Sequence, residues 1–415
     1  MKASPEPLKV LRGQGIWLEM EDESRIMDLI SSWWVNLHGH SHPEIADAIY
    51  EQAKTLEHVI FAGYTHEPAE KLTKLLLSEL PENQSRIFFT DNGSTAVEVA
   101  LKMSYQYWKN QGINNKTKFL AFEGAYHGDT FGAMSAGSRS VFTNTFEELF
   151  FEVDYLDYPA IKDNIDIETA ENEVLNKLQK LVSDSDQYAA LIIEPLVQGA
   201  GGMNMCRAEF LQKLEVILRS NNVLLIYDEV MTGFGRTGDW FAARASETSP
   251  DIICMSKGIT GGFMPLAVTS TNDKVYEAFY DNDSFKTLYH GHSYTANPLG
   301  CAAAVASFHL TKKAEPIFRS FSNRYREFIE SLNELSGLRN IRNTGTILAL
   351  DIVTNKEDGY LNPIADSIKK ETYQSGMLIR PLGNTVYLMP PYCITDDELN
   401  FAFEKLLTIL KKVVA

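Results

Sequence analysis

The sequence predicts an α/β protein in which a large, mostly parallel sheet domain is joined to a small α+β domain. Three observations carry this. From about residue 45, helical stretches alternate with short apolar segments, the habit of a parallel sheet covered on both faces. After about residue 310, amphipathic helices alternate with isolated strands. A length of 415 residues also exceeds what one compact core accommodates, which favours a large unit with a smaller partner. The expected division is 1–44 as the N-terminal part of the small domain, 45–310 as the large domain and 311–415 as the C-terminal small domain.

In chain order, His38-Gly-His-Ser-His42 comes first. Its i, i+2 spacing suggests a metal string, but a catalytic zinc usually takes a carboxylate or further His at helical spacing, and Pro43-Glu44 reads as a helix start, so no metal is expected. Expected strands of the large domain are 86–90, 118–122, 189–193, 223–227, 251–255 and 266–270, each short and rich in Val, Ile, Leu or Phe. Ligands on open α/β sheets bind beyond the carboxyl ends of strands. Five such ends carry polar residues: Asp91-Asn-Gly-Ser-Thr, Glu123-Gly-Ala-Tyr-His-Gly-Asp, Glu194-Pro, Asp228-Glu and Ser256-Lys257-Gly258. The run Cys301-Ala-Ala-Ala-Val-Ala-Ser-Phe reads as a buried helix, and 346–352 and 385–389 as strands of the small domain.

Ala96, Val99, Ala100, Met103 and Tyr107 share one helical face, so a helix starts at about Ser94. The amides of Gly93, Ser94 and Thr95 then face outward, the arrangement that binds phosphate at a helix N-terminus. An ordinary capped helix is the alternative. Asp228 ends a buried strand, where a carboxylate is costly unless it meets a cation or strong donors; a protonated pyridine nitrogen would serve. Lys257 ends the next strand, and a desolvated lysine amine is an imine-forming nucleophile.

Several classes are excluded. The net charge of −17 and the lack of any basic block disfavour nucleic acid. Gly233-Phe-Gly-Arg-Thr-Gly matches G-x-G-x-x-G, but it lies five residues past its strand and no helix opens at its third glycine, so it is not a dinucleotide fingerprint. No Gly-x-Ser-x-Gly elbow and no Walker lysine appears. The four cysteines lack a paired spacing and the first thirty residues lack a signal-peptide core, so a cytoplasmic protein is expected. The uncharged stretch 287–311 contains three His, an Asn-Pro pair and two Gly, which argues against a membrane span.

Taken together, Gly39-His-x-His-Pro, Asn92-Gly-Ser-Thr-Ala-Val-Glu, Tyr126-His-Gly, Asp228-Glu-Val-x-Thr-Gly-Phe-Gly-Arg-Thr-Gly, Ser256-Lys257-Gly and Asn297-Pro-Leu resemble the landmarks of the class III, fold-type I pyridoxal-phosphate aminotransferases, in order and over almost the whole chain. The resemblance implies that Lys257 holds pyridoxal 5'-phosphate covalently and shuttles a proton, while Asp228 keeps the pyridine nitrogen protonated. It further implies that Gly93 and Ser94 hold the phosphate and Tyr126 packs on the ring. A hydroxyl from Ser293 is expected to reach the phosphate of a neighbouring subunit, which makes a homodimer with shared sites.

Within the family, Ser31-Ser-Trp-Trp34, Tyr126-His-Gly-Asp-Thr-Phe-Gly-Ala-Met-Ser135, Gln198-Gly-Ala-Gly-Gly-Met203, Ile379-Arg-Pro and Tyr387-Leu-Met-Pro-Pro-Tyr392 are similar to the branch that aminates 8-amino-7-oxononanoate in biotin biosynthesis. Its usual donor is S-adenosylmethionine. That likeness implies an apolar slot lined by Trp33, Trp34 and Tyr387, with Arg380 clamping the carboxylate; Tyr126 and Gly291 complete the substrate-binding set. His290-Gly-His-Ser-Tyr294 departs from the Pro-Thr that many adenosylmethionine users carry after the glycine, which keeps lysine open as donor. The pattern also places a His-Pro-Tyr segment before Met1. Another ω-amino acid or diamine aminotransferase, an aminomutase and a decarboxylase remain alternatives on the same cofactor frame.

Overall fold

The computed structural model describes residues 7–140 and 142–414. Its largest sheet has seven strands, ordered Gln84–Thr90, Ala267–Asn272, Ile252–Met255, Leu224–Asp228, Tyr188–Ile193, Lys118–Phe122 and Val153–Leu156. Only Ala267–Asn272 runs antiparallel to its neighbours; the remaining pairings are parallel. The sheet is therefore mostly parallel, as expected. The central strands Tyr188–Ile193 and Leu224–Asp228 are buried at every position, because helices cover both faces and leave no polar side to alternate with.

The 18-residue helix Gly93–Asn110 packs one face of this sheet with Ala96, Val99, Ala100, Met103 and Tyr107, all buried. It begins one residue earlier than the sequence suggests because Asn92 forms the cap: its side chain accepts from the Thr95 amide while the Thr95 hydroxyl receives the Asn92 amide. The Thr95 amide is thus already taken, which corrects the expectation of three free amides. Pro298–Lys313 is the Ala-rich buried helix, capped by Asn297, opened by Pro298 and closed by Lys312 and Lys313 near its negative end.

Three strands near the start, Val10–Gln14, Trp17–Met20 and Arg25–Asp28, join Met377–Leu378 in a second sheet. A third sheet comprises Leu338–Thr344, Ile347–Ile352 and Thr385–Leu388. Met27 and Leu29 share a separate core with Phe321, Tyr325, Leu350 and Phe403. This packs residues 27–29 against elements of the last hundred residues. The short strands of the first forty residues carry little apolar alternation, which hides them in the sequence; of the three only Arg25–Asp28 is largely buried, and it pairs with Met377–Leu378 more than 300 residues away.

Candidate active site

All five polar strand ends contribute to one cavity of about 710 Å³, within the size range of small-molecule sites. Asn92, Gly93 and Ser94 enter after the first strand, Tyr126 to Asp129 after the second, and Glu194, Asp228 and Lys257 from the next three. The convergence follows from topology, because parallel strands deliver their carboxyl ends to the same edge.

Asp228 is buried, and its Oδ2 accepts a 2.7 Å hydrogen bond from Nδ1 of buried His127 while its Oδ1 accepts from the Val230 amide at 3.1 Å. The other ring nitrogen of His127, Nε2, is buried without a partner among the described residues. Lys257 follows with a left-handed backbone, φ 40°, a conformation tolerated off glycine only where the surroundings enforce it. Burial lowers the pKa of its amine, with Asp228 and Glu194 pulling the other way. Its Nζ lies 5.1 Å from the centroid of the Trp34 ring. A larger neutral fraction of the amine at ordinary pH suits covalent capture of a carbonyl.

Glu194 is buried between two loops, accepting from the Tyr126 amide at 3.1 Å and the Gly199 amide at 2.9 Å. Burial pushes its carboxyl up to about 7, against the pull of His127. Tyr126 donates its hydroxyl to Asp129 at 2.9 Å, and burial with that bond raises the phenol above its ordinary range. The Asp129 amide in turn donates to the Ser94 hydroxyl at 3.1 Å. The Tyr126 loop and the helix start at Gly93 are therefore one fastened unit.

Trp33 and Trp34 arrive on a turn with three left-handed residues, Ser31 (φ 51°), Ser32 (φ 59°) and Trp34 (φ 66°). The Ser31 hydroxyl donates to the Met389 carbonyl at 2.8 Å and the Ser32 hydroxyl to Asp28 at 2.9 Å, which hold the strained turn. Asp28 also binds His40, while His38 pairs with Ser307. Those histidines thus serve as hydrogen-bonding members of the scaffold. Trp34 is buried and donates from its indole to Tyr387 at 2.8 Å, whereas Trp33 is 57% exposed and lies under the Arg380 guanidinium, 4.2 Å from ring to charge. Arg380 has no carboxylate partner among the described residues.

The structure thus brings together Lys257, Asp228, Gly93, Ser94, Tyr126, Trp33, Trp34, Arg380 and Tyr387. Gly291 and Ser293 stand apart, on an exposed loop outside the cavity of their own chain. Sequence reasoning assigned no role to His127 or Glu194. Their signal was available, since His127 follows Tyr126 in its motif and Glu194 ends a wholly apolar strand.

The class III aminotransferase family model matches residues 1–410. The chain belongs to that family. An adenosylmethionine-8-amino-7-oxononanoate aminotransferase from Synechococcus elongatus is 49% identical over 414 residues, covering 100% of this chain and 97% of the relative. The like-named protein of Anoxybacillus flavithermus is 37% identical, covering 98% and 91%. Among solved structures, the adenosylmethionine-8-amino-7-oxononanoate aminotransferase of Methanocaldococcus jannaschii superposes with a TM-score of 0.89 at 31% identity, covering 98% of this chain and 94% of that one. A PLP-bound amine transaminase from an uncultivated Pseudomonas species gives 0.93 at 30% identity, covering 100% and 97%.

The cofactor is pyridoxal phosphate, and the residues present fit it. A buried carboxylate braced by His127 suits a protonated pyridine nitrogen, a buried amine suits the aldehyde, and the free first-turn amides suit the phosphate.

Proposed function

We propose that this protein transfers an amino group to the keto carbon of 8-amino-7-oxononanoate, giving the 7,8-diamine used in biotin biosynthesis, with S-adenosylmethionine as donor. The observation that carries the reading is the cavity's polarity: an apolar wall of Trp34 and Tyr387 runs beside the reactive lysine, and an uncountered Arg380 lies at its rim. That order of groups matches an acceptor with an apolar chain between its keto carbon and its carboxylate. The names of the most similar relatives point the same way.

Pyridoxal phosphate supplies an electron sink that stabilises negative charge at the substrate carbon. Lys257 would hold it and move a proton at the reacting carbon, since its amine is desolvated and lines the same cavity as Trp34, 5.1 Å from that ring's centroid. Asp228 would keep the ring nitrogen protonated, and His127 holds Asp228 in place. Gly93 and Ser94 hold the phosphate at the helix N-terminus. Tyr126 covers the ring face and contributes with Trp33, Trp34, Tyr387 and Gly291 to substrate binding, while Arg380 takes the carboxylate bidentately.

Purified protein with 8-amino-7-oxononanoate and either S-adenosylmethionine or lysine tests this by product detection; no diamine with either donor removes the reading. Lysine is included because His292 stands where many adenosylmethionine users have proline. Arg380→Ala should raise KM for the keto acid by about tenfold to a hundredfold, the worth of a charged hydrogen bond, and leave the donor half-reaction within about threefold.

The same reading extends to assembly. The protein is a homodimer in the cytoplasm, with Ser293 and Gly291 reaching the partner's cavity from the exposed loop. Tyr289 and Tyr294 on that loop and nearby Phe285 are 74%, 66% and 90% exposed, an apolar surface that calls for cover. No helix among the described residues is long and apolar enough to cross a membrane, and all four cysteines are free. Division into 1–44 with 311–415 and 45–310 is favoured by the separate core that Met27 and Leu29 share with the C-terminal helices.

A further inference from the structure

Arg380 lies two residues past the short strand Met377–Leu378, and other segments hold its side chain. One face of its guanidinium lies over Trp33 at 4.2 Å, and Nη2 donates to the hydroxyl of Tyr360 at 3.4 Å. Tyr360 belongs to a loop that carries no motif, yet its place is fixed. The Gly359 amide donates to Asn384 Oδ1 at 2.9 Å, and Asn384 donates to Asp358 Oδ1 at 2.9 Å. Gly383 has φ 64° and passes so close to Gly359 that a Cβ there would stand 1.7 Å from the Gly359 carbonyl oxygen. The loop is thereby pinned to the very turn that follows Arg380. On its other side the Tyr360 ring meets Phe142 edge-on at 4.8 Å, and both aromatics line the reactive cavity as well as an adjoining one of about 880 Å³.

We infer that Tyr360, braced by Phe142, is a positioning residue that aims the Arg380 guanidinium at the acceptor's carboxylate and so sets selectivity for an acid at that end of the substrate. This rests on the reading of Arg380 as the carboxylate clamp. The physical reason is that a guanidinium without a carboxylate partner has several rotamers open to it. Stacking on Trp33 fixes its plane but leaves rotation within that plane, and a neutral hydroxyl accepting one N–H removes the rotation without cancelling the charge. An acid in place of Tyr360 would orient Arg380 equally well but would compete with the substrate.

The test compares wild type, Tyr360→Phe, Phe142→Ala and Arg380→Ala on 8-amino-7-oxononanoate and on its methyl ester, with cofactor absorbance following the donor half-reaction separately. Tyr360→Phe keeps the ring and its packing, so folding is preserved. It should raise KM for the acid about tenfold, the lower end for a charge-assisted hydrogen bond, leave kcat and the donor half-reaction within about twofold, and leave KM for the ester unchanged. Phe142→Ala should move the acid in the same direction. A general packing role would shift acid and ester together, and that outcome overturns the inference. So does an unchanged acid KM in Tyr360→Phe while Arg380→Ala raises it, a result that leaves the function itself standing. If wild type forms no diamine, or Arg380→Ala leaves the acid KM unchanged, the clamp reading fails and takes this inference with it.

Discussion

Asp228 and His127 form a buried hydrogen-bonded pair in the cavity, and losing one member is costlier than the pair itself is worth. Removing one member of such a pair costs about 3 kcal/mol or more, because the survivor is left buried and unpaired. Asp228→Asn is therefore expected to keep the cofactor on Lys257, detected by borohydride reduction and peptide mapping, while lowering kcat by about a hundredfold or more through loss of electrostatic stabilisation; an untagged Lys257 in the wild type would refute the covalent assignment. Glu194 gives a prediction in pH. Its folded carboxyl stands at about 7 against an ordinary 4.5, so the folded chain keeps a proton that the unfolded chain releases. Its contribution is unpenalised below about pH 4.5, falls as pH rises and levels off above about 7. Relative to Glu194→Gln, the apoprotein should lose about 3 kcal/mol over that window, measured as the difference in unfolding free energy; parallel curves for the two proteins would exclude it. Both residues stood in the sequence at strand ends, but their partners did not. Nothing in the chain order says that residue 127 meets residue 228.

At the level of elements, the site depends on how tightly two loops approach. Gly128 has φ 125°, and a Cβ there would lie 2.0 Å from the Ser94 hydroxyl and 2.9 Å from its Cα. Gly93 is similarly crowded, with Val230 Cγ1 2.8 Å from a would-be Cβ. Gly128→Ala must therefore move the start of the helix Gly93–Asn110 or bend its own loop, at a cost of about 1–2 kcal/mol for the left-handed backbone alone. Cofactor affinity should drop about tenfold or more, read by equilibrium titration of the apoprotein, with secondary structure retained by circular dichroism. The helix was legible because its apolar residues recur at helical spacing. Its phosphate face was only partly legible, since the Asn92 cap consumes the Thr95 amide. The turn at Ser31 to Trp34 was not legible as strained, because its left-handed angles are imposed by Asp28 and the distant Met389 carbonyl.

For the whole molecule, an exposed loop bearing Ser293 and Gly291 outside its own cavity makes sense when a second copy supplies the cavity. On the proposed homodimer, wild type should sediment as a dimer, and Phe285→Asp together with Tyr289→Asp should shift it toward monomer and lower cofactor affinity in parallel; full activity in a monomer would refute shared sites. The net charge of −17 disfavours association with polyanions, and against it Arg380, with no carboxylate partner among the described residues, is a local exception that an anionic acceptor can use. By itself the sequence determined the mostly parallel sheet, the rim of polar strand ends and the Asp228 and Lys257 pair, because strand order, burial and strand termination are written in local apolar patterning. Tertiary structure alone decided which rim residues touch, how the first forty residues join the last hundred and how Tyr360 comes to hold Arg380. Those contacts link segments far apart in the chain, and local periodicity carries no information about which distant surfaces close on one another.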